Sequence, residues 1–513
     1  MHKTIFLPLL VATAALLNGC GGGGGGGSSA TPPVTSTPPP TATPAAASYL
    51  NLCQAPRTTT GAGAAVPDRQ GSLSDELTYL RLWSDETYLW YRELPTTPPA
   101  GFATPLAYFN VLKTSAVTAS GKPKDNYHFT SPTEQYEEST RGVELGYGLS
   151  WAANSAPSFP RVWRVTSVAP GSPAAVAGLR RGDRLVTVDG YDFINGGDSA
   201  TVDRLNAGLF PAAGERHTFA VARGSDALGS APTVSSTVTL LAAKVDVPAV
   251  QNTKVIDTPT GKVGYLTFDD HNAASERQLI AAFNTLKAAA VDDLVLDMRY
   301  NGGGLLVVAS QIAYMVAGPG PTSGKTFERL LVNDKRPAEE PMAFRTTSIG
   351  LETALPAPAR QPLPYLGLKR VTILTGKGTC SASESLVNGL RGVDVEVNLV
   401  GDQTCGKPYG FYPQPNCGTT YFTVQFQGVN QKGFGDYADG FAPTCKVADD
   451  FSRAQGDPAE GQLAAALRYR STGQCQAPAA MARSMEPGSA SAPAQGLTPV
   501  RSPTREIAVY SRH

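Results

Sequence analysis

From about residue 255 the chain alternates short apolar runs with amphipathic stretches. "KVGYLTF" (262–268) reads as a strand, and "ASERQLIAAFNTLKAAA" (274–290) carries its apolar residues at helical spacing. "DLVLDMR" (293–299) is an apolar strand, and "YNGGGLL" then turns into a helix running through Tyr314. "VTILTG" (371–376), "SASESLVNGL" (381–390) and "VEVNLVG" (395–401) repeat strand, helix and strand. This alternation predicts a βαβ core with mostly parallel pairing. "TTYFTVQFQGVN" (419–430) is expected to add antiparallel strands.

Two other patterns precede this core. In residues 49–140, "SLSDELTYLRLWSDETYLWYREL" (72–94) places Leu73, Leu77 and Leu80 on one helical face, with Ser72 or Ser74 as a cap and Pro95 as the stop. "TPLAYFNVL" (104–112) offers Thr104 as a cap and Pro105 in the first turn. Residues 141–245 are β-rich: "RVWRVTSV" (161–168), "RHTFAVARG" and "TVSSTVTLLA" read as strands. In "APGSPAAVAGLRRGDRLVTVDG" (169–190), Ser172 caps a short helix, Pro173 opens it and Gly178 ends it. This stretch resembles a PDZ domain of the bacterial protease type. The resemblance implies a peptide-binding loop before the second strand, here Gly146, Tyr147, Gly148 and Leu149, whose N–H groups would receive a terminal carboxylate while the peptide adds a strand to the sheet edge.

The ends differ from the interior. "IFLPLLVATAALL" is an export-type apolar stretch, too short to span a membrane, and it closes in "LNGC". That sequence resembles a bacterial lipobox, which implies cleavage after residue 19 and lipid on Cys20. The Gly/Ser/Thr/Pro-rich run to residue 48 reads as a tether. The 476–513 tail is expected to lack fixed structure, with "REIAVY" (505–510) as the one stretch that could add a strand. The expected divisions are therefore 1–19 signal, 20–48 tether, 49–140 helical region, 141–245 PDZ-like domain, 246–475 α/β core and 476–513 tail, a multidomain α+β chain. Lys plus Arg equals Asp plus Glu at 43 each, which gives no electrostatic reason to expect nucleic acid. Of seven cysteines, six remain after Cys20. An even number in an exported chain points to disulfides, and spacing does not choose among 15 pairings.

The chemistry gathers at two strand C-terminal ends. "RYNGGG" (299–304) follows one strand and "GKGTCSASE" (376–384) another. Ser381 stands at a helix N-terminus, where unpaired N–H groups favour negative charge. Its S-x-x-E spacing to Glu384 also fits a capping box. Lys407, in "GDQTCGKPYGF", follows the next strand and would end beside the Ser381 turn in a parallel sheet. An amine serving as base near neutral pH needs its pKa lowered by roughly 2–3 units from about 10.4, which burial can supply. His128, His217 and His271 are the alternative bases. His271 in "FDDHNA" could form a triad with Asp269 or Asp270. No His/Cys/Asp grouping shows metal-ligand spacing.

"GYLTF", "LVLDMRYNGGGLL", "TCSASESLVNGL" and "VGDQTCGKPYG" together resemble the C-terminal processing peptidases, the tail-specific (S41-type) serine proteases with a Ser-Lys dyad. The resemblance spans about 140–445. It implies a ClpP/crotonase-like core, Ser381 as nucleophile, Lys407 as base, and an oxyanion hole from the N–H groups of Ala382 and Gly303. It implies no cofactor. The glutamine that many members carry four residues after the lysine is Phe411 here, so something else must orient Lys407. Cys380 precedes the nucleophile and Cys405 lies two residues before the base, which implies a Cys380–Cys405 disulfide worth roughly 3–4 kcal/mol. Cys417–Cys445 and Cys53–Cys475 complete the expected set. The expected function is a lipid-anchored endopeptidase of the bacterial envelope. Its substrates are expected to be unfolded polypeptides or chains with accessible C-termini. The absence of aspartate after Cys20 favours the outer membrane. The alternative is an inert PDZ-type binding scaffold. An esterase lacks the G-x-S-x-G elbow. Oligomeric state is not legible.

Overall fold

A computed structural model describes residues 45–57, 67–154, 159–224, 232–352, 360–475, 497–500 and the backbone of 508–509. The signal segment, Cys20 and the tether through Pro44 lie outside the described residues. Among those described, the core sheet runs in the order Val250–Thr258, Gly261–Phe268, Asp293–Asp297, Arg370–Thr375, Glu396–Gly401, Cys445–Lys446. The first two strands are antiparallel and the later neighbours parallel. Alternate side chains face opposite layers. Leu266, Phe268, Leu294, Leu296, Ile373 and Leu399 pack into one layer with helices Ser275–Ala288, Leu306–Ala317 and Ala382–Gly392. Val263, Tyr265, Val295, Leu374 and Val400 face the other layer, against Leu463, Ala465 and Ala466 of helix Gly461–Thr472. Leu306–Ala317 is buried at every position, which accounts for its being apolar all round.

The β-rich part forms a separate antiparallel sheet: Ser236–Leu241, Arg216–Ala222, Arg184–Val188, Trp163–Val168 and Leu149–Ala153, edged by Thr498–Val500. Helices Pro173–Val176 and Ser199–Leu209 belong to it. Ser172 caps the first of these through Ala175 N–H, as its sequence predicts.

Several expectations need correction. The 72–94 helix stops at Thr87, well before Pro95. Tertiary partners draw the chain out: Leu89 N–H donates to Val424 O, and the buried Tyr88 hydroxyl bonds Asp125 at 2.8 Å and accepts from Thr114 N–H. The 419–430 stretch does form antiparallel strands, as expected, and the two lie in different sheets. Thr419–Phe422 joins Phe129–Pro132 of the N-terminal region, whereas Phe426–Val429 joins Thr326–Val332. Two pieces of the expected structureless tail are paired, Thr498–Val500 and Ala508–Val509. Cys53 is bonded to Cys417 and Cys445 to Cys475, not Cys417 to Cys445 or Cys53 to Cys475. The first pairing follows from the Thr419–Phe422 strand and from Asn416, whose Oδ1 accepts from Asn51 N–H. The second follows from Cys445 sharing a packed layer with the helix that ends just before Cys475.

The two domains meet at a buried charge network. Arg299 contacts Asp297 at 2.9 Å, Glu460 at 2.8 Å and Asp449 at 2.8 Å. Arg181 of the β-rich domain reaches the same Asp449 at 2.6 Å and the Tyr300 hydroxyl at 2.5 Å. Burial pushes the Asp449 carboxyl up, but Arg181 and Arg299 outweigh it and hold it below the usual range. Arg299→Met would leave Asp297 and Glu460 buried without their cation. The expected cost is about 3–5 kcal/mol in urea unfolding, and a loss below about 1 kcal/mol would contradict this account.

Candidate active site

Parallel pairing of Asp293–Asp297, Arg370–Thr375 and Glu396–Gly401 brings three C-terminal turns side by side. Hydrogen bonds knit the first two. Thr379 Oγ1 donates to Met298 O at 2.8 Å, Cys380 N–H to Asn301 O at 3.1 Å, and Ser383 Oγ to Asn301 O at 3.1 Å. Ser381 sits at the start of helix Ala382–Gly392 with φ +60° and ψ −117°. A serine in this sparsely populated region stores about 1–3 kcal/mol of strain, a feature typical of functional turns. Its Oγ is fully buried and makes no hydrogen bond among the described residues. Only the glutamate half of the capping box is therefore formed: Ser381 N–H donates to Glu384 Oε2 at 3.0 Å, while the hydroxyl caps nothing.

Glu384, which the sequence suggested only as a capping residue, joins the second turn to the third. Its Oε2 also accepts from Lys407 N–H at 2.8 Å, and its Oε1 accepts from Gly406 N–H at 2.8 Å and Thr404 Oγ1 at 2.6 Å. Burial pushes this carboxyl up, and the four donors oppose that shift. The expected Cys380–Cys405 disulfide is present, with Cα atoms 5.2 Å apart. With Glu384 it places the Ser381 and Lys407 backbones on adjoining turns. The Ser381 hydroxyl is not hydrogen-bonded to Lys407 in this conformation. Such contacts often tighten only when substrate is bound. Lys407 is 2% exposed, and its Nζ lies 4.5 Å from the Phe411 ring centroid and 4.8 Å from that of Tyr127. Phe411, standing where a glutamine was expected, thus holds the ammonium against an aromatic face. Tyr127 gave no sequence signal because it comes from the distant N-terminal region. Its hydroxyl fixes it by donating to Gly406 O at 2.9 Å.

Gly303 has φ +109°, and a Cβ there would fall 2.8 Å from Ser381 Cβ and 2.9 Å from Ala382 N, so only glycine fits. Its N–H, expected as an oxyanion donor, is given to Asn301 Oδ1 at 2.9 Å in this conformation. Ala382 N–H occupies the first turn of its helix, where no carbonyl of that helix can receive it. His271 lies behind the Gly303 turn. Its N–H donates to Gly303 O, its carbonyl accepts from Leu305 N–H, and its Nδ1 bonds Asn301 Oδ1 at 3.0 Å. Because Asn301 Nδ2 donates to Phe268 O, Oδ1 is the acceptor and Nδ1 carries the proton. His271 therefore braces the turn and does not form the triad considered with Asp269 or Asp270. His128 bonds Phe109 O, and His217 bonds Asp189 at 2.6 Å in the β-rich domain. Cys380, Glu384 and Cys405 cluster closely, but the two sulfurs are bonded to each other.

Gly146–Leu149 forms a tight loop at the start of the edge strand. Gly146 and Gly148 have φ +152° and +73°, and a Cβ on Gly148 would collide with Ser172 at 2.3 Å. Tyr147 points inward, its hydroxyl donating to Gly208 O at 3.0 Å. Leu149 opens the edge strand Leu149–Ala153.

Residues 262–431 match the model of peptidase family S41, and residues 164–201 match a PDZ domain. A carboxyl-terminal-processing protease of Picosynechococcus sp. is 30% identical over 283 residues, covering 53% of this chain and 58% of that protein. A chloroplastic C-terminal processing peptidase of Tetradesmus obliquus is 30% identical over 281 residues, covering 52% of each. The chain thus spans little more than half the length of these curated relatives. A solved S41 protease from Bacteroides fragilis shares the fold, with a TM-score of 0.61 at 22% identity, over 81% of this chain and 100% of that one. Fold and motifs define an S41-type core coupled to a PDZ domain. Over these matched stretches the chain is similar to carboxyl-terminal-processing proteases.

Glu384→Gln keeps the shape but offers one acceptor oxygen to four donors. It is expected to lower kcat against an unfolded protein by roughly 10²-fold or more while the circular dichroism spectrum is unchanged; unaltered kcat would remove Glu384 from the positioning role. A second expectation concerns pH. Burial pushes His128 and His271 down to about 4, against about 6.5 in the unfolded chain. Between these values the unfolded state binds more protons, so the stability from keeping both rings neutral is complete above about pH 6.5 and lost as pH falls toward 4. The unfolding free energy from urea titration should drop between pH 7 and 4.5, by about 2–3 kcal/mol per histidine, and the drop should be smaller in His128→Asn.

Proposed function

We propose that the chain is a serine endopeptidase acting on polypeptides, with Ser381 as nucleophile and Lys407 as general base and acid. The observation that carries this reading is the Glu384 carboxylate, which accepts from the backbones of both residues at once, beside a strained serine whose Oγ makes no competing bond. Ser381 Oγ attacks the scissile carbonyl carbon while Lys407 takes its proton. The amine leaves with that proton, and water cleaves the ester through the same pair. The developing oxyanion would be met by Ala382 N–H and by Gly303 N–H, which exchanges Asn301 Oδ1 for the substrate oxygen. The PDZ domain would receive a chain at the Gly146–Leu149 loop and along Leu149–Ala153. Lipid on Cys20 would hold the enzyme on an envelope membrane, the outer one by the residue after the cysteine.

The test is digestion of an unfolded protein by the wild-type chain, Ser381→Ala and Lys407→Ala. Both variants should fold and should lose roughly 10³-fold or more in kcat/KM. Undiminished cleavage by Ser381→Ala would assign the nucleophile elsewhere.

A further inference from the structure

The open edge of the PDZ sheet already holds a strand, and that strand is the chain's own. Thr498–Val500 pairs antiparallel with Leu149–Ala153, Thr498 opposite Ala153 and Val500 opposite Trp151. From 498 to 500 it runs toward the Gly146–Leu149 loop, the direction a chain must take to bring a terminal carboxylate there. Val500 packs on the domain's apolar core, and Thr498 Oγ1 donates to Ala153 O at 3.4 Å. Pro499 lacks the N–H a central strand would need and is tolerated at this edge. The same segment touches the catalytic turn: a Cβ on Gly378, three residues before Ser381, would fall 2.6 Å from Pro499 Cγ.

Further along, Ala508–Val509 pairs in parallel with Gly304–Leu305. Those residues directly follow Gly303, the glycine packed against Ser381. Ala508–Val509 also runs close to Tyr409–Gly410, two residues past Lys407. One segment is therefore seated at the PDZ edge, at the turn before the nucleophile and along the oxyanion strand. Backbone pairing beside the oxyanion donors is how an extended substrate is held for attack.

We propose that the C-terminal segment is the enzyme's own first substrate, cut in cis at the Ala508–Val509 bond. This rests on the Ser381–Lys407 reading above. Ser381 Oγ bonds the carbonyl carbon and the C–N bond breaks. The released C-terminal fragment departs as an amine carrying the proton taken by Lys407, and water then cleaves the ester to leave a new carboxylate on the retained chain. A tethered occupant has a millimolar effective concentration, so this cut precedes those in free polypeptides.

The experiment follows the intact mass of the purified full-length chain, Ser381→Ala and Val500→Asp, alongside digestion of an unfolded protein. The wild type should lose its last few residues at a rate independent of protein concentration. Ser381→Ala should keep His513, and Val500→Asp should trim at least 10-fold more slowly. A wild type that digests the unfolded protein yet keeps His513 overturns the proposal and leaves the peptidase reading standing. Trimming that accelerates with concentration assigns the cut to another copy, and trimming in Ser381→Ala assigns it to another protease; either overturns the proposal. Failure to cut either the tail or the unfolded protein overturns both readings.

Discussion

The site depends on one buried carboxylate. Glu384 collects four donors from two turns, adding to the sheet register, the Cys380–Cys405 disulfide and the Cys405 N–H to Thr379 O bond that also join the Ser381 and Lys407 turns. A carboxylate suits this place because each oxygen accepts two bonds at fixed angles. Desolvation is the cost, and full satisfaction of the group makes that cost bearable. The helix that carries Glu384 is fixed in turn by the apolar layer beneath it, so core packing sets where the Ser381 turn stands.

The oxyanion turn is supported from the opposite side. Asn301 Oδ1 accepts hydrogen bonds from His271 and Gly303, and its Nδ2 donates one to Phe268 O. Arg299 and Tyr300, immediately before it, belong to the buried charge network that reaches Arg181 in the PDZ domain. The residues that support the Gly303 turn are thus continuous with those that seat the β-rich domain.

Much of this was legible in the chain. The period of the apolar positions gave the strands and helices of the core, because each strand has two buried faces and each helix one. Ser381, Gly303 and Lys407 were readable because turns at parallel strand ends are short and rich in glycine. What escaped the sequence was long-range. Tyr127 reaches Lys407 across most of the chain, and nothing local marks it. The helix from Ser72 stops at Thr87 because Tyr88 and Leu89 have tertiary partners, and no residue there breaks helices intrinsically. The disulfide partners of Cys53 and Cys475 depend on which strands neighbour which, and cysteine spacing carries no such information. The Thr498–Val500 strand was missed because composition describes what a segment can do alone, not what an unfilled sheet edge does for it, whereas Ala508–Val509 falls in the one tail stretch whose residues suggested a strand.

All three disulfides lie outside the PDZ domain, which contains no cysteine between residues 141 and 245. The S41-type body is covalently stapled, while its joint with the β-rich domain includes Arg181, which reaches Asp449, Tyr300 and Arg453 O and lies over the Phe451 ring. The two parts are thus held by different means: covalent bonds that only a reductant opens within one, and charge contacts across the joint between them.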